Sequence, residues 1–172
     1  MAAKRFSPEL DARFTALFAT YGLSLSRLAS SYSDSRVERE DLLQDIAMAV
    51  WQALPQFRGE CSERTFIFRI AHNRGISHIA KRRVPEAPLD PDVEIADPAL
   101  DAATALVNRE RGDRLVHAIR RLPIDYRQVL TLALEDLSYA DIAEITGLSV
   151  TNVGARLTRA RQLLRRALGE PS

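Results

Sequence analysis

Between Ser138 and Arg166 the chain reads SYADIAEITGLSVTNVGARLTRARQLLRR, and its second half holds Arg156, Arg159, Arg161, Arg165 and Arg166 without a single acid. Guanidinium groups gathered along one helix attract phosphates, and their planar forks can address the edges of bases. The preceding residues supply the scaffold. Ser138 followed by Asp141 has the spacing of a capping box, which satisfies exposed N–H groups at a helix start. Ile142, Ala143 and Ile145 give that helix an apolar face. Gly147 stands where a chain leaves a helix in the left-handed conformation, and Ser149 is placed to cap the next helix. A plain helical hairpin with a solvated arginine face is the alternative, but the tight turn, the two caps and the absence of acids favour a helix-turn-helix, with its second helix expected to enter a DNA major groove.

Two further groups of residues carry chemistry. Asp41, Gln44, Asp45, Met48 and Gln52 recur at helical spacing and share a face away from the apolar one. A polar face of this kind is ordinarily just solvated; read functionally, it suits a basic protein partner, with Met48 as an adaptable apolar contact. The loop QFRGECS then leads into a helix carrying Arg64, Arg69, Arg74, Lys81, Arg82 and Arg83. An aromatic ring to stack on, polar groups to read an edge and cations for phosphates are what an unstacked base requires. On residues alone, Phe57 is equally suited to a core position, and Trp51 is expected to pack inside.

The elements that position these groups are all helical. Of 172 residues 46% are hydrophobic, with only 7 Gly and 8 Pro, a composition that favours long helices around a packed core. A helix begins at Ser7-Pro8 and carries Leu10, Phe14, Leu17, Phe18, Tyr21, Leu25 and Leu28, with an irregularity expected at Gly22 and a turn over Ser31–Ser35. A second helix is predicted over Val37–Leu54, a loop over Pro55–Ser62, and a third helix from Ser62 to Arg83. Further helices are predicted from Thr104 to Leu122 and from Pro123 through IDYRQVLTLALED, in which Val129, Leu130, Leu132, Ala133 and Leu134 look buried. The predicted fold class is all-α, with two small helical domains.

The net charge of +1 conceals a pattern. Residues 1–84 carry +4, residues 85–104 carry −6 with no basic residue, and residues 105–172 carry +3. Pro85, Pro88, Pro91 and Pro98 among those acids forbid a continuous helix, so the middle segment reads as an acidic linker between two basic blocks. The single cysteine, Cys61, allows no intramolecular disulfide, and with His72, His78 and His117 it lacks the spacing of a zinc site. No metal or cofactor is expected. No apolar run is long enough to span a membrane and MAAKRFSPELDARF lacks a signal-peptide core, so a cytoplasmic protein is expected, with no membrane insertion.

Taken in order, EDLLQDIAMAVWQALPQFRGECSERTFIFRIAHNRGISHIAKRR and LPIDYRQVLTLALEDLSYADIAEITGLSVTNVGARLTRAR resemble the two domains of bacterial extracytoplasmic-function sigma factors. These are small two-domain specificity subunits of RNA polymerase. The resemblance implies a non-enzymatic function, with core RNA polymerase, promoter DNA and an anti-sigma factor as partners. It implies that residues 1–84 dock on the polymerase clamp through Asp41, Gln44, Asp45 and Met48. It also implies that they engage the melted non-template strand of the −10 element through Phe57, Arg58, Glu60, Cys61, Arg69 and Asn73. Residues 105–172 would read the −35 element as duplex through Thr151, Asn152, Arg156 and Arg159. The linker over 85–104 would thread the polymerase near its active site, and the protein would be associated with the nucleoid through the polymerase.

Three departures from the family pattern bear on these roles. Gly154 and Ala155 stand where a basic and then a small polar residue are usual, as in a TVKSR-like run against NVGAR here. Base reading is therefore expected to move to Thr151, Asn152 and Arg156, with Arg159 on phosphate. Phe66 replaces a common Trp. Cys61 replaces a small or polar residue and is read as a small residue rather than a redox switch. The alternative is a stand-alone helix-turn-helix regulator, to which the Asp41–Met48 stripe and the basic helix after QFRGECS would be superfluous. An all-α enzyme finds no support, since the three His lack a carboxylate or nucleophile partner at useful spacing.

Overall fold

Pro8 opens helix α1 (Pro8–Tyr32) behind Ser7, whose carbonyl accepts from the N–H groups of Leu10 and Asp11 at 2.9 and 3.1 Å. The computed structural model describes residues 7–82 and 102–169. Helix α1 passes through Gly22 without a break, and it also absorbs the start of the expected Ser31–Ser35 turn. The reason lies in a distant residue. The Tyr32 ring is buried against Gly75, where a β-carbon would lie 2.6–2.9 Å from ring carbons. An aromatic that fits only over a glycine on another helix gives no local sign of being core.

Ser35 caps α2 (Arg36–Ala53) by accepting from the Glu38 N–H. Leu42, Ile46, Ala49 and Val50 form its buried ridge, rotated slightly from the face of Leu43, Ile46, Ala47, Val50 and Leu54 that the helical period predicts, with Leu43 and Ala47 only half-buried. A 3₁₀ turn over Leu54–Gln56 carries the chain off α2, with Leu54 buried as its anchor. Helix α3 (Glu63–Arg82) buries Thr65, Ile67, Phe68, Ala71, His72 and Gly75 against α1 and α2.

The second bundle comprises α4 (Ala102–Arg120), α5 (Ile124–Leu134), α6 (Tyr139–Thr146) and α7 (Val150–Ala167). No strand occurs among the described residues, in keeping with the all-α expectation. The acidic linker predicted over 85–104 lies outside the described residues except at its end, where α4 begins two residues before the predicted Thr104. In α5, Val129, Leu130 and Leu132 are buried as expected, but Leu134 is 50% exposed. Thr131 and Glu135 are buried instead, because that side of α5 meets α1 and the two polar groups find partners there.

The two bundles pack on each other through α1 against α4 and α5, and through α3 against α6. One apolar cluster runs from Leu25, Leu28 and Tyr32 to Ile119, Leu122 and Val129. Its rim is polar, and it carries hydrogen bonds between the two bundles. The Arg120 Nε donates to the Ser30 carbonyl at 2.8 Å, and the Thr131 hydroxyl donates to Ser31 Oγ at 3.2 Å.

Candidate nucleic-acid and protein interfaces

Helix α2 turns Asp41, Gln44, Asp45 and Met48 to the surface, opposite Leu42, Ile46 and Val50. Met48 is 56% exposed, so its flexible apolar side chain is available to a partner. Asp45 lies 3.6 Å from Arg74 of α3, with both side chains about half exposed. Exposed pairs of this kind contribute at most about 1 kcal/mol, so the carboxylate stays open to exchange partners.

After α2, the 3₁₀ turn and Gly59, whose φ is +77°, fold the loop back over the start of α3. Ser62 caps that start, accepting from the Thr65 N–H at 3.0 Å. Phe57 is half-buried, with its ring centroid 4.5 Å from that of Phe66. Arg13 of α1 places its Cζ 5.2 Å from the same centroid. Its Nε and Nη2 both donate to Glu63 Oε1, at 2.9 and 2.5 Å. Arg58 and Glu60 are exposed and Cys61 is half-buried. Phe66, Arg69 and Asn73 lie at i, i+3 and i+7, so they share a face of α3 that continues from the Phe57 ring. Phe57, Phe66, Arg69 and Asn73 therefore lie along one surface, and Phe57 is both partly core and partly open.

The middle of that surface is covered. Arg69 pairs with Glu144 of α6, Arg64 donates to the Glu135 carbonyl, and Thr65 Oγ1 donates to Asp141 Oδ1 at 3.0 Å. Glu135, only 4% exposed, receives both Nε and Nη2 of Arg27 at 2.8 and 2.6 Å. Asp141 has two duties. Its carboxyl completes the Ser138 capping box and also receives Thr65, and hydrogen bonds from Ser138 first and Thr65 second hold it below the usual carboxylate range. Sequence spacing identifies the capping box but not the second duty, because nothing near Asp141 in the chain signals that α3 lies against it. Arg13 is missed for a similar reason. It sits beside the apolar stripe of α1, where a long side chain reads as solvated surface.

Behind the surface, His72 is buried with its Nδ1 3.3 Å from the Tyr32 hydroxyl. Burial holds the imidazole down at about 4, so it is neutral at physiological pH, and burial pushes the Tyr32 phenol up.

The helix-turn-helix forms as its sequence dictates. Ser138 and Asp141 close the capping box, Gly147 takes φ +73°, and Ser149 accepts from the Asn152 N–H. Val153, Leu157 and Ala160 bury one side of α7 against α5 and α6. Thr151, Asn152 and Arg159 are exposed, and half-buried Arg156 lies 3.4 Å from Asp125. At Gly154 a β-carbon would lie 3.5 Å from the Tyr139 ring, an ordinary contact. Among the described residues there is no cluster of His, Cys, Asp and Glu able to hold a metal ion, and no helix long and apolar enough to cross a membrane.

Comparison with known proteins accords with this geometry. Residues 17–84 match the family model for sigma-70 region 2, and residues 112–164 match that for sigma-70 region 4. The chain is 32% identical over 161 residues to the ECF RNA polymerase sigma-E factor of Haemophilus influenzae, covering 88% of this chain and 85% of that one. It is 30% identical over 167 residues to the RNA polymerase sigma-H factor of Pseudomonas aeruginosa, covering 90% and 86%. Among solved structures, CnrH in complex with the cytosolic domain of CnrY superposes with a TM-score of 0.68 at 26% identity, over 94% of this chain and 91% of that one. A sigma factor from Bartonella quintana in complex with the anti-sigma factor NepR gives a TM-score of 0.71 at 24% identity, over 91% and 97%, a likeness of fold.

Proposed function

The chain belongs to the extracytoplasmic-function sigma factors of bacterial RNA polymerase, and from that premise we propose how its surfaces divide the work of promoter recognition. As an alternative sigma factor it directs promoter-specific transcription initiation, with core RNA polymerase and promoter DNA as partners. Residues 1–84 act as the region that docks on core polymerase and captures the −10 element. Residues 85–104 connect, and residues 105–172 read the −35 element. The observation that carries this division is the coexistence of two exposed surfaces on one chain. One is the Asp41, Gln44, Asp45 and Met48 stripe of α2, and the other is the acid-free first turns of α7.

The chemistry follows from each surface. On α2 the carboxylates and Gln44 meet a basic helical partner on the polymerase, while Met48 buries its side chain at the centre of the contact. On α7, Thr151, Asn152 and Arg156 lie in the turns that would enter the major groove, and Arg159 lies further along toward phosphate. On the loop and α3, a base leaving the duplex stacks at Phe57, while Arg58, Glu60, Cys61, Asn73 and Arg69 surround it. Stacking supplies about 1–3 kcal/mol per base, comparable with the expense of unstacking one pair, which is how binding drives local melting. Arg69 reaches DNA only after it leaves Glu144, so α6 has to step off α3 before the −10 surface is complete. The relatives solved with CnrY and with NepR lead us to assign an anti-sigma partner to this chain also. A partner that keeps α6 on α3 would hold it inactive.

Binding of the labelled chain to core RNA polymerase, with and without Asp45→Arg, tests the assignment. The expected result is tight binding that the variant weakens at least about tenfold, with run-off transcription only when the chain is present. Binding to duplex DNA alone, with none to core, would instead establish a stand-alone regulator.

A further inference from the structure

Arg13 meets the Phe57 ring on a surface that the roles assigned so far do not explain. Its guanidinium carbon lies 5.2 Å from the ring centroid. Glu63 takes Nε and Nη2, at 2.9 and 2.5 Å, and fixes the plane of the group. The remaining nitrogen, Nη1, donates to no described residue, and the side chain is 41% exposed. A purely structural ion pair at this place would need no aromatic neighbour, and a purely structural aromatic contact would need no free donor. Phe57 is already packed by Phe66 at 4.5 Å, so the ring does not depend on Arg13 for cover.

We propose that Arg13 is a nucleic-acid contact of the −10 site, the α1 side of the place where a base stacks at Phe57. This rests on the assignment of Phe57 to the captured strand. An incoming base and the guanidinium compete for the same half-buried ring, and the ion pair of Arg13 with Glu63 is exposed and readily exchanged. Once displaced, the flat guanidinium lies beside the base and its charge lies beside the strand's phosphate. Arginine serves both contacts because it is a planar fork as well as a cation, whereas lysine offers only a point charge. Glu63 is a positioning residue that holds the fork at the rim of the site in the free protein.

The experiment uses holoenzyme assembled from core polymerase and the full chain. Its probe is a fork-junction DNA from a promoter that the holoenzyme transcribes, with the −10 non-template strand single-stranded. A second probe carries one abasic position at each place in turn along that strand. Arg13→Ala is expected to lower affinity for the fork roughly tenfold, as loss of one charge-assisted contact does, and to reduce the salt slope by about one. Binding to core polymerase should stay unchanged. Arg13→Lys is expected to restore the salt slope but not the preference for an intact base over an abasic one. If abasic substitution and Phe57→Ala both leave binding unchanged, the base-capture assignment fails and the proposal falls with it. If they weaken binding while Arg13→Ala does not, or if Arg13→Lys matches the wild type throughout, the proposal alone is overturned.

Discussion

Helix α3 meets the rest of the chain on the side proposed to receive DNA, through Arg64, Thr65 and Arg69. Helix α7 leaves Thr151, Asn152 and Arg159 exposed on its corresponding side. The supports beneath differ as well. Behind α7 lie Val153, Leu157 and Ala160, an apolar ridge with nothing to titrate. Behind α3 the apolar Ile67, Phe68 and Ala71 are joined by a titratable pair, His72 against the Tyr32 hydroxyl, with the Tyr32 ring fitted over Gly75. If α7 reads duplex DNA as proposed, it can be rigid and permanently presented. The face of α3 proposed to receive a melted strand is instead covered by the carboxylates of Glu144 and Asp141 and by the Glu135 carbonyl.

The largest expected effect separates the two supports by acid. The ordinary imidazole value is 6.5, and burial holds His72 at about 4. Below pH 6.5 the unfolded chain takes up a proton that the folded chain refuses until near pH 4. The stability owed to neutral His72 is therefore complete above 6.5 and lost as the pH falls through that window, about 3 kcal/mol in all. Denaturant titration between pH 7 and pH 4.5 should show this loss, and His72→Gln should flatten the profile. Hydrogen exchange should find α3 losing protection before α7. Equal loss in the two helices would remove the distinction.

Next in size is the closure itself. Glu135 is buried with a two-point bond from Arg27, while Arg27 is 61% exposed and could be hydrated if left alone. Glu135→Ala should therefore cost about 1–2 kcal/mol rather than the larger penalty of stranding a buried charge. Small-angle scattering should show a larger radius of gyration for the variant, because the Arg27 bond ties α1 to the end of α5.

A smaller effect of opposite sign is expected on the open helix. Gly154 lies within α7, where alanine is favoured by about 1 kcal/mol, and its new methyl would make only ordinary contact with Tyr139. Gly154→Ala should raise the thermal midpoint without changing the radius of gyration. If the missing side chain lets the backbone approach DNA closely, the same variant loses affinity for duplex −35 DNA in the holoenzyme while gaining stability.

These differences track what the sequence makes legible. The helix-turn-helix could be read residue by residue, because its caps, its left-handed Gly147 and its arginines are local signals with local causes. The α2 stripe was legible too, since a helical period sets Asp41, Gln44, Asp45 and Met48 on one face whatever surrounds them. Tyr32, Glu135 and Arg13 were not. Each takes its role from a residue far along the chain: Gly75, Arg27 and Phe57 respectively. Periodicity describes what a helix offers, and only packing decides what it meets.

The smallest effect is the most direct test of why one surface is covered. Arg69 and Glu144 are 39% and 47% exposed, so water screens their attraction and the pair should contribute about 0.2–1 kcal/mol. A double-mutant cycle with Arg69→Ala and Glu144→Ala should return a coupling in that range, read from stability and from the radius of gyration together. Arg156 and Asp125, 3.4 Å apart within the second bundle, form the internal control. Their cycle can show coupling in stability, but it should leave the radius unchanged, because both residues belong to the same bundle. High salt should then expand the wild type as the Arg69 variant does, since screening weakens exposed pairs first. A single weak pair does not close the molecule: it acts at the edge of the apolar cluster that joins the two bundles, so its part in the closure is read as a small coupling and not as an all-or-none opening.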